Sequence, residues 1–354
     1  MGEAENEPLT YASAGVDILA GEAAVSKIKA KVKSTFSREV ISDIGGFAGM
    51  FAADFLGYAE PVLVSSTDGV GTKAMVASWA GSYETIGIEL VAMCVDDLVC
   101  TGARPLFMLD YISIGKLDPD NVEQLVGGIA DGCLMAGASL VGGEMAEHPG
   151  AMGQGEFDLA GFAVGVVDRQ RTWGAHRVHE GCKLVGLASP NLRSNGFSLA
   201  RAALFGSGSR DEIGRLGRGP AWRGSETTLF DTLLEPSVIY SRAVNSIPDK
   251  DQVSSCAHIT GGGIPGNLPR SLPAGLTAVI DLGSFEVPRI FKEIQARGRI
   301  ESDEMLRVFN MGVGMILVVE PDAESAVRSH IESYGISTYA MGAVAKGRES
   351  VKFV

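Results

Sequence analysis

Residues 94–111 read "CVDDLVCTGARPLFMLDY", and the way this stretch divides decides the fold. Upstream, Ile86, Leu90, Met93 and Asp97 recur at spacings of four, three and four, which keeps them on one stripe of a helix beginning near Tyr83. Gly102 is free to take positive φ and close that helix, and Pro105 stops any continuation. The apolar run "PLFMLDYIS" then reads as a strand. Helix, glycine stop and strand make one step of an α/β alternation, so "GARP" is first of all punctuation. The stripe also turns Asp97 toward the core side, where an isolated carboxylate needs a cation, a hydrogen-bond donor or a shifted pKa. Local capping at a helix end is the plainer alternative for a lone Asp.

Working outward, "PVLVSS" from Pro61 reads as a buried strand, and Asp118 with Pro119 reads as the N-cap and first residue of a helix reaching about Gly137. Strands "SLVGG" and "DLAGFAVGVV" follow. Between Asp168 and Cys182 the composition turns polar and basic before a new apolar strand, "KLVGLAS". We therefore expect an N-terminal domain over residues 1–170, to which the resemblance described below assigns ATP binding and dimerisation, and a C-terminal domain over residues 171–354. In the second half, helices are expected at residues 197–204, 231–246, 287–297 and 322–334, with strands "LTAVIDL", "VGMILVVE", "TYAMGAVA" and "SVKFV". The Gly- and Arg-rich segment "FGSGSRDEIGRLGRGPAWRGS" reads as a long mobile loop.

With 354 residues, 45% hydrophobic and 21% charged, the chain has material for two cores. A net charge of -13, with no dense Lys/Arg run, argues against nucleic acid and anionic membranes as partners. Phosphorylated small molecules stay open, because backbone N–H groups or a divalent cation between carboxylates can hold them. The five cysteines are scattered without a CxxC pair, which fits reduced thiols better than zinc or disulfides. The acidic start "MGEAENEPLT" does not resemble a targeting peptide, and no apolar run nears the roughly 18 residues of a membrane helix. The expectation is a cytoplasmic protein.

Three apolar segments end in carboxylates. "PVLVSS" runs into "TDGVGTK", where Thr67, Asp68, Gly69, Gly71, Thr72 and Lys73 offer backbone donors, a metal ligand and a cation, without the spacing of a P-loop. A simple turn is the alternative. Asp97 is the second carboxylate, and Glu144 in "GGEMAEHPG" the third, with Glu147 close behind. The three could converge on Mg²⁺ and through it on a nucleoside triphosphate. In "HITGGGIPGN", Gly261, Gly263, Gly266 and Asp281 imitate a dinucleotide fingerprint, but Pro265, Pro269 and Pro273 forbid the long helix it needs, leaving an anion-binding or hinge loop. "RSNGFSLAR" places Ser and Asn where they cap helices well, and its N–H groups and arginines would also suit phosphate.

Taken in order, "YASAGVDILAG", "PVLVSSTDGVGTK", "DLVCTGARPLFMLDYISIGKLD", "GCLMAGASLVGGEMAEHPG", "SNGFSLAR", "HITGGGIPGNLPR" and "FNMGVGM" resemble the phosphoribosylformylglycinamidine cyclo-ligase family, also called aminoimidazole ribonucleotide synthetases. The match spans nearly the whole chain. DxxxxGAxP, from Asp97 to Pro105, marks the wider superfamily, and "LFMLDY" and "GKLD" mark the cyclo-ligase branch. The resemblance implies an α+β fold of two α/β-type domains, with N-terminal domains pairing as a dimeric β-barrel in a homodimer. It also implies cyclisation of formylglycinamidine ribonucleotide with ATP and Mg²⁺, K⁺ being a further candidate cation. ATP phosphorylates the formyl amide oxygen, an internal nitrogen attacks, and phosphate leaves, because phosphate is a far better leaving group than an amide oxygen.

Carried across, Asp68, Asp97 and Glu144 look like metal residues. Lys73 and Lys29 look like phosphate contacts, Gly45 and Gly46 open a glycine run closing over the nucleotide, and Gly143 and Thr67 to Thr72 complete its cradle. Where the family has a His before Ser-Asn-Gly this chain has Arg193, which cannot titrate near neutrality but can clamp phosphate. Arg193 is therefore expected beside Asp97 and Lys73 in the catalytic group. Asp96 replaces a family Asn, expected either to tighten metal binding or to face solvent, and His148 replaces a Met. Selenophosphate synthetase would need a Cys within residues 1–45, where there is none. Thiamine monophosphate kinase shares the Asp-rich site but not "LDYISIGKLD". A non-catalytic nucleotide-binding relative is the alternative from another class.

Overall fold

Left-handed glycines follow three helices of the first domain. Helix α4 (Pro119–Ala136) starts at Asp118, whose carboxylate accepts the Asp120 and Asn121 N–H groups, and ends at Gly137 with φ 76°. Helix α2 (Lys73–Ala80) ends at Gly81 with φ 70°. After α3 (Glu84–Val99), Gly102 takes φ 82° before the strand beginning at Arg104, as the sequence leads one to expect. The structure is a computed structural model that describes Thr10 and residues 13–354. The acidic start, and Tyr11 and Ala12 of the first family motif, lie outside the described residues.

Strands β1 (Pro61–Gly69), β2 (Arg104–Ile114), β3 (Ser139–Glu147) and β4 (Phe157–Asp168) form one sheet in the order β1-β4-β2-β3. Only β2 and β3 run parallel. Helices α3 and α4 pack on one face with Leu90, Met93, Cys94, Leu125 and Ile129 in the core, and α1 (Ile18–Lys33) lies against α4. On the opposite face, Leu63, Tyr111 and Phe162 are more than two-fifths exposed.

The second domain is a six-stranded sheet, order β10-β7-β9-β5-β8-β6, in which β7 and β10 alone run parallel. Its elements are β5 (Lys183–Ala188), α5 (Phe197–Phe205), α6 (Arg210–Gly217), α7 (Leu229–Leu234), α8 (Ser241–Asn245), β6 (Val253–His258), α9 (Gly263–Asn267), β7 (Leu276–Ile280), α10 (Arg289–Gly298), α11 (Ser302–Val308), β8 (Val313–Val319), α12 (Glu324–Glu332), β9 (Thr338–Lys346) and β10 (Val351–Phe353). The α+β class holds, with both sheets mixed rather than parallel. Among the described residues, no helix is long and apolar enough to cross a membrane.

Four expectations fail locally, each for an identifiable reason. The single helix over residues 231–246 is two short helices, because Pro236 lacks the N–H a continuous helix requires. The supposed long mobile loop contains α6, held by a capping box in which Ser209 and Glu212 bond each other's backbone N–H groups. After the triple glycine a helix does form, but the prolines confine α9 to five residues and a 3₁₀ turn. At α5 the N-cap is Gly196 with φ 74° and no side-chain cap, while Ser194 turns away to Glu89.

Candidate active site

Adjacent residues on α3 look into two different environments, because successive helical positions are about 100° apart. Asp96 is fully buried between the domains. Its Oδ2 accepts from Arg193 Nη2 at 2.6 Å, and its Oδ1 accepts the Tyr240 N–H at 3.0 Å. Asp97 is 43% exposed on a cleft of about 470 Å³. The cleft is lined by Thr67, Cys100, Cys256, His258, Asn267 and Arg270, among others.

Asp96 therefore neither faces solvent nor adds a metal ligand. It is the counter-charge of Arg193, so the two positions that the resemblance singles out form one ion pair. Arg193 also donates to the Val238 carbonyl at 2.9 Å, lies over the Tyr240 ring, and holds a left-handed φ of 58° that non-glycine residues seldom adopt. A phosphate clamp at Arg193 is not what the geometry supports, since the guanidinium is wholly buried and engaged by Asp96 and Val238.

Lys73 meets the same objection. Its ammonium is buried at the start of α2 and donates to Glu89 and to the carbonyls of Arg193 and Glu235. Burial pulls its pKa down, and the adjacent Glu89 partly offsets this. Glu89 in turn accepts from Ser194, from the Ser237 hydroxyl and from the Ser237 N–H at 2.9–3.0 Å. Lys73–Glu89 and Arg193–Asp96 thus join α2 and α3 to residues 191–194 and 235–240 of the second domain.

In the cleft, Asp97 Oδ1 lies 2.8 Å from His258 Nδ1. Nδ1 donates in this bond to a carboxylate, and Nε2 is buried without a hydrogen-bond partner. Burial acts to raise the Asp97 carboxyl, but the hydrogen bond and charge of His258, with Arg270 and Arg193, outweigh it and hold the group below its ordinary value. Asp68, at the end of β1, is pushed up by burial and further by the charge of Asp97, although the Gly69 N–H donates to it. Two partly buried carboxylates that repel each other beside an open cleft suit a hard divalent cation completed by substrate oxygens.

Glu144 does not join them. Asp68 pairs across β4 with Gly161, Gly161 with Asp110, and Asp110 with Gly143. Three strand spacings of about 4.8 Å put about 14 Å between Asp68 and Gly143. Convergence of Asp68, Asp97 and Glu144 on one ion within this chain is thus corrected by the strand order. Glu147 is occupied with the Asp17 and Leu117 N–H groups.

Gly143 and Glu144 instead line a second pocket of about 630 Å³, with Gly45, Gly46, Asp43 and Asp110. Lys29 stands 3.7 Å from Asp43 at its margin. Of the remaining cradle residues, Thr67 donates to the Gly161 carbonyl, Gly71 takes φ 53°, and Thr72 N-caps α2 beside the Ser198 hydroxyl.

Sequence reasoning missed His258 and Arg270. Both sit in motifs quoted above, where attention went to the glycines. A His directly before a glycine loop was the available signal. The one grouping of three metal-capable side chains among the described residues is His179, Cys182 and Glu320, toward the opposite end of β6 and β8 from His258.

Residues 55–167 match the family model for the N-terminal domain of AIR synthase related proteins, and residues 179–354 that for the C-terminal domain. A phosphoribosylformylglycinamidine cyclo-ligase from Bacillus cytotoxicus is 48% identical over 95% of each chain, and one from Sorangium cellulosum is 49% identical over 95% of each. Among solved structures, hydrogenase maturation protein HypE in complex with ATP superposes with a TM-score of 0.64 at 15% identity, covering 94% of this chain and 90% of that one. Thiamine-monophosphate kinase from Stenotrophomonas maltophilia gives 0.60 at 18%, covering 94% and 95%. At such identities the structural likenesses speak for the fold alone. With nearly half its residues shared over almost its full length, the chain belongs to the phosphoribosylformylglycinamidine cyclo-ligase family.

Proposed function

We propose that this chain cyclises formylglycinamidine ribonucleotide to 5-aminoimidazole ribonucleotide at the Asp97–His258 cleft, using ATP and releasing ADP and phosphate, in the cytoplasm. The observation that carries this reading is the Asp97–His258 pair, a half-exposed carboxylate orienting an imidazole whose second nitrogen is left without a partner. Ring closure requires the attacking nitrogen to lose a proton, and the Asp97–His258 pair, whose carboxylate is open to the cleft, is the acid–base pair placed to take it. Arg270, lining the same cleft, is the cation for the phosphoryl group that leaves, the role Arg193 cannot fill. Asp68 and Asp97 would hold Mg²⁺. When bound, that ion would neutralise charge on the triphosphate.

The pocket under Gly45 and Gly46 suits the nucleotide, with Lys29 at its margin and Gly143 and Glu144 in its wall. The exposed apolar face bearing Leu63, Tyr111 and Phe162 supports a homodimer in which two sheets close into a barrel, since a monomer rarely leaves such a face bare. The deciding experiment mixes purified protein with formylglycinamidine ribonucleotide, ATP and Mg²⁺, with and without K⁺, and follows aminoimidazole ribonucleotide and ADP together. One-to-one formation of both is expected. ADP without the imidazole would indicate a kinase-like relative, and neither product would favour the non-catalytic alternative.

A further inference from the structure

Cys100 and Cys256 belong to different domains, yet their sulfur atoms lie 3.4 Å apart. Cys100 is the C-cap of α3, one turn after Asp97, and is partly exposed. Cys256 lies in β6, two residues before His258 and so on the same face of the strand, and is 4% exposed. Both line the cleft. No other two cysteines among the described residues approach within hydrogen-bonding range. Nothing in the chemistry proposed above uses either thiol.

We infer that Cys100 and Cys256 form an oxidisable thiol pair which a hydroperoxide converts into an inter-domain disulfide, reversibly shutting the cleft. The steps balance without further reagents. The more accessible Cys100 thiol is oxidised to sulfenic acid, and the hydroperoxide is reduced to its alcohol, or to water for hydrogen peroxide. The Cys256 thiol then displaces water from the sulfenic sulfur, forming the S–S bond. Bonding contracts the separation from 3.4 Å to about 2 Å. That contraction pulls the end of α3 toward β6, the two elements that carry Asp97 and His258, and fixes the width of the gap between them. Burial, with Cys100 and the nearby Asp96 and Asp97, keeps the Cys256 thiol well above its ordinary range. A dithiol reductant reverses the change.

The loss of turnover rests on the cyclo-ligase reading, whereas the disulfide does not. Full-length protein is treated with a modest excess of hydrogen peroxide, mapped as non-reduced peptides, and assayed before treatment, after it, and after dithiothreitol. The expected result is a Cys100–Cys256 cross-linked peptide accumulating in step with an activity loss of about tenfold or more, restored by the reductant. Cys100→Ala and Cys256→Ser, each referred to its own untreated activity, should stay within about twofold under the same treatment. Absence of the cross-link, a cross-link with turnover intact, or equal loss in both variants would overturn the proposal. If the reduced protein made no imidazole product at all, the cyclo-ligase reading would fail, and the peptide map would still decide the disulfide.

Discussion

Asp96 and Asp97 are chain neighbours on one helix, and they show what separates a charge used for assembly from a charge kept for chemistry. Asp96 is wholly enclosed, and both its oxygens are met by the second domain. Asp97 has one partner, half its surface open, and a repelling carboxylate beside it. Around Asp96 both carboxylate oxygens are met from the second domain, which makes a rigid joint. Around Asp97 negative charge is left over, and such charge attracts a metal cation and through it phosphate. A buried, fully paired ion is thus poor evidence of catalysis even when its residue type and motif suggest it.

The hardest test of that contrast breaks the joint. Arg193→Ala strands Asp96 without a counter-charge, and should cost about 3–5 kcal/mol of stability by denaturant titration. The double change Arg193→His with Asp96→Asn should recover much of it. If the single variant unfolds like the parent, the pair is not structural. Next, Asp97→Asn should lower turnover roughly 10²–10³-fold with a nearly unchanged melting curve. Unchanged ATP affinity and turnover would remove Asp97 from the mechanism. Because its carboxyl sits below the ordinary value, the stability it contributes is present above the unfolded value and fades only as pH falls through the folded one.

Asp68 should respond with the opposite sign. Its folded pKa is raised, so its charge burdens the fold at neutral pH, and the burden lifts as pH falls through that raised value. Asp68→Asn should therefore melt about 1–3 °C higher near pH 7, with the gain vanishing near about pH 3, while turnover falls. A lower melting temperature at neutral pH would show that Asp68 is a structural group instead. The smallest effect on the fold is expected from Phe162→Glu on the open sheet face, within about 0.5 kcal/mol. Light scattering should nonetheless show it shifting a dimer toward monomer. An unchanged mass would mean that this face is not the interface.

Much of the first domain was legible because its boundaries are written in strong local chemistry. Asp118-Pro119 and Gly137 bracket α4, and Gly102 with Pro105 separates α3 from β2. The second domain was harder, since α6 announces itself only by Ser209 and Glu212, and β6 carries two serines, a cysteine and a histidine in a fully buried strand. For the site, composition identified the carboxylates but not their destinations. Lys73 and Arg193 were read as phosphate groups because their contacts, Glu89 and Asp96, lie 16 and 97 residues away. For Arg193 only the packing of one domain on the other supplies the counter-charge, whereas Lys73 finds Glu89 within its own domain.

The Asp96–Arg193 pair also constrains how this gene can change. One member is encoded in each half, so a recombination that exchanged either half for a relative's, with Asn at 96 or His at 193, would strand a buried charge. The two halves are thus interchangeable with another protein's only where that protein carries the same matched pair.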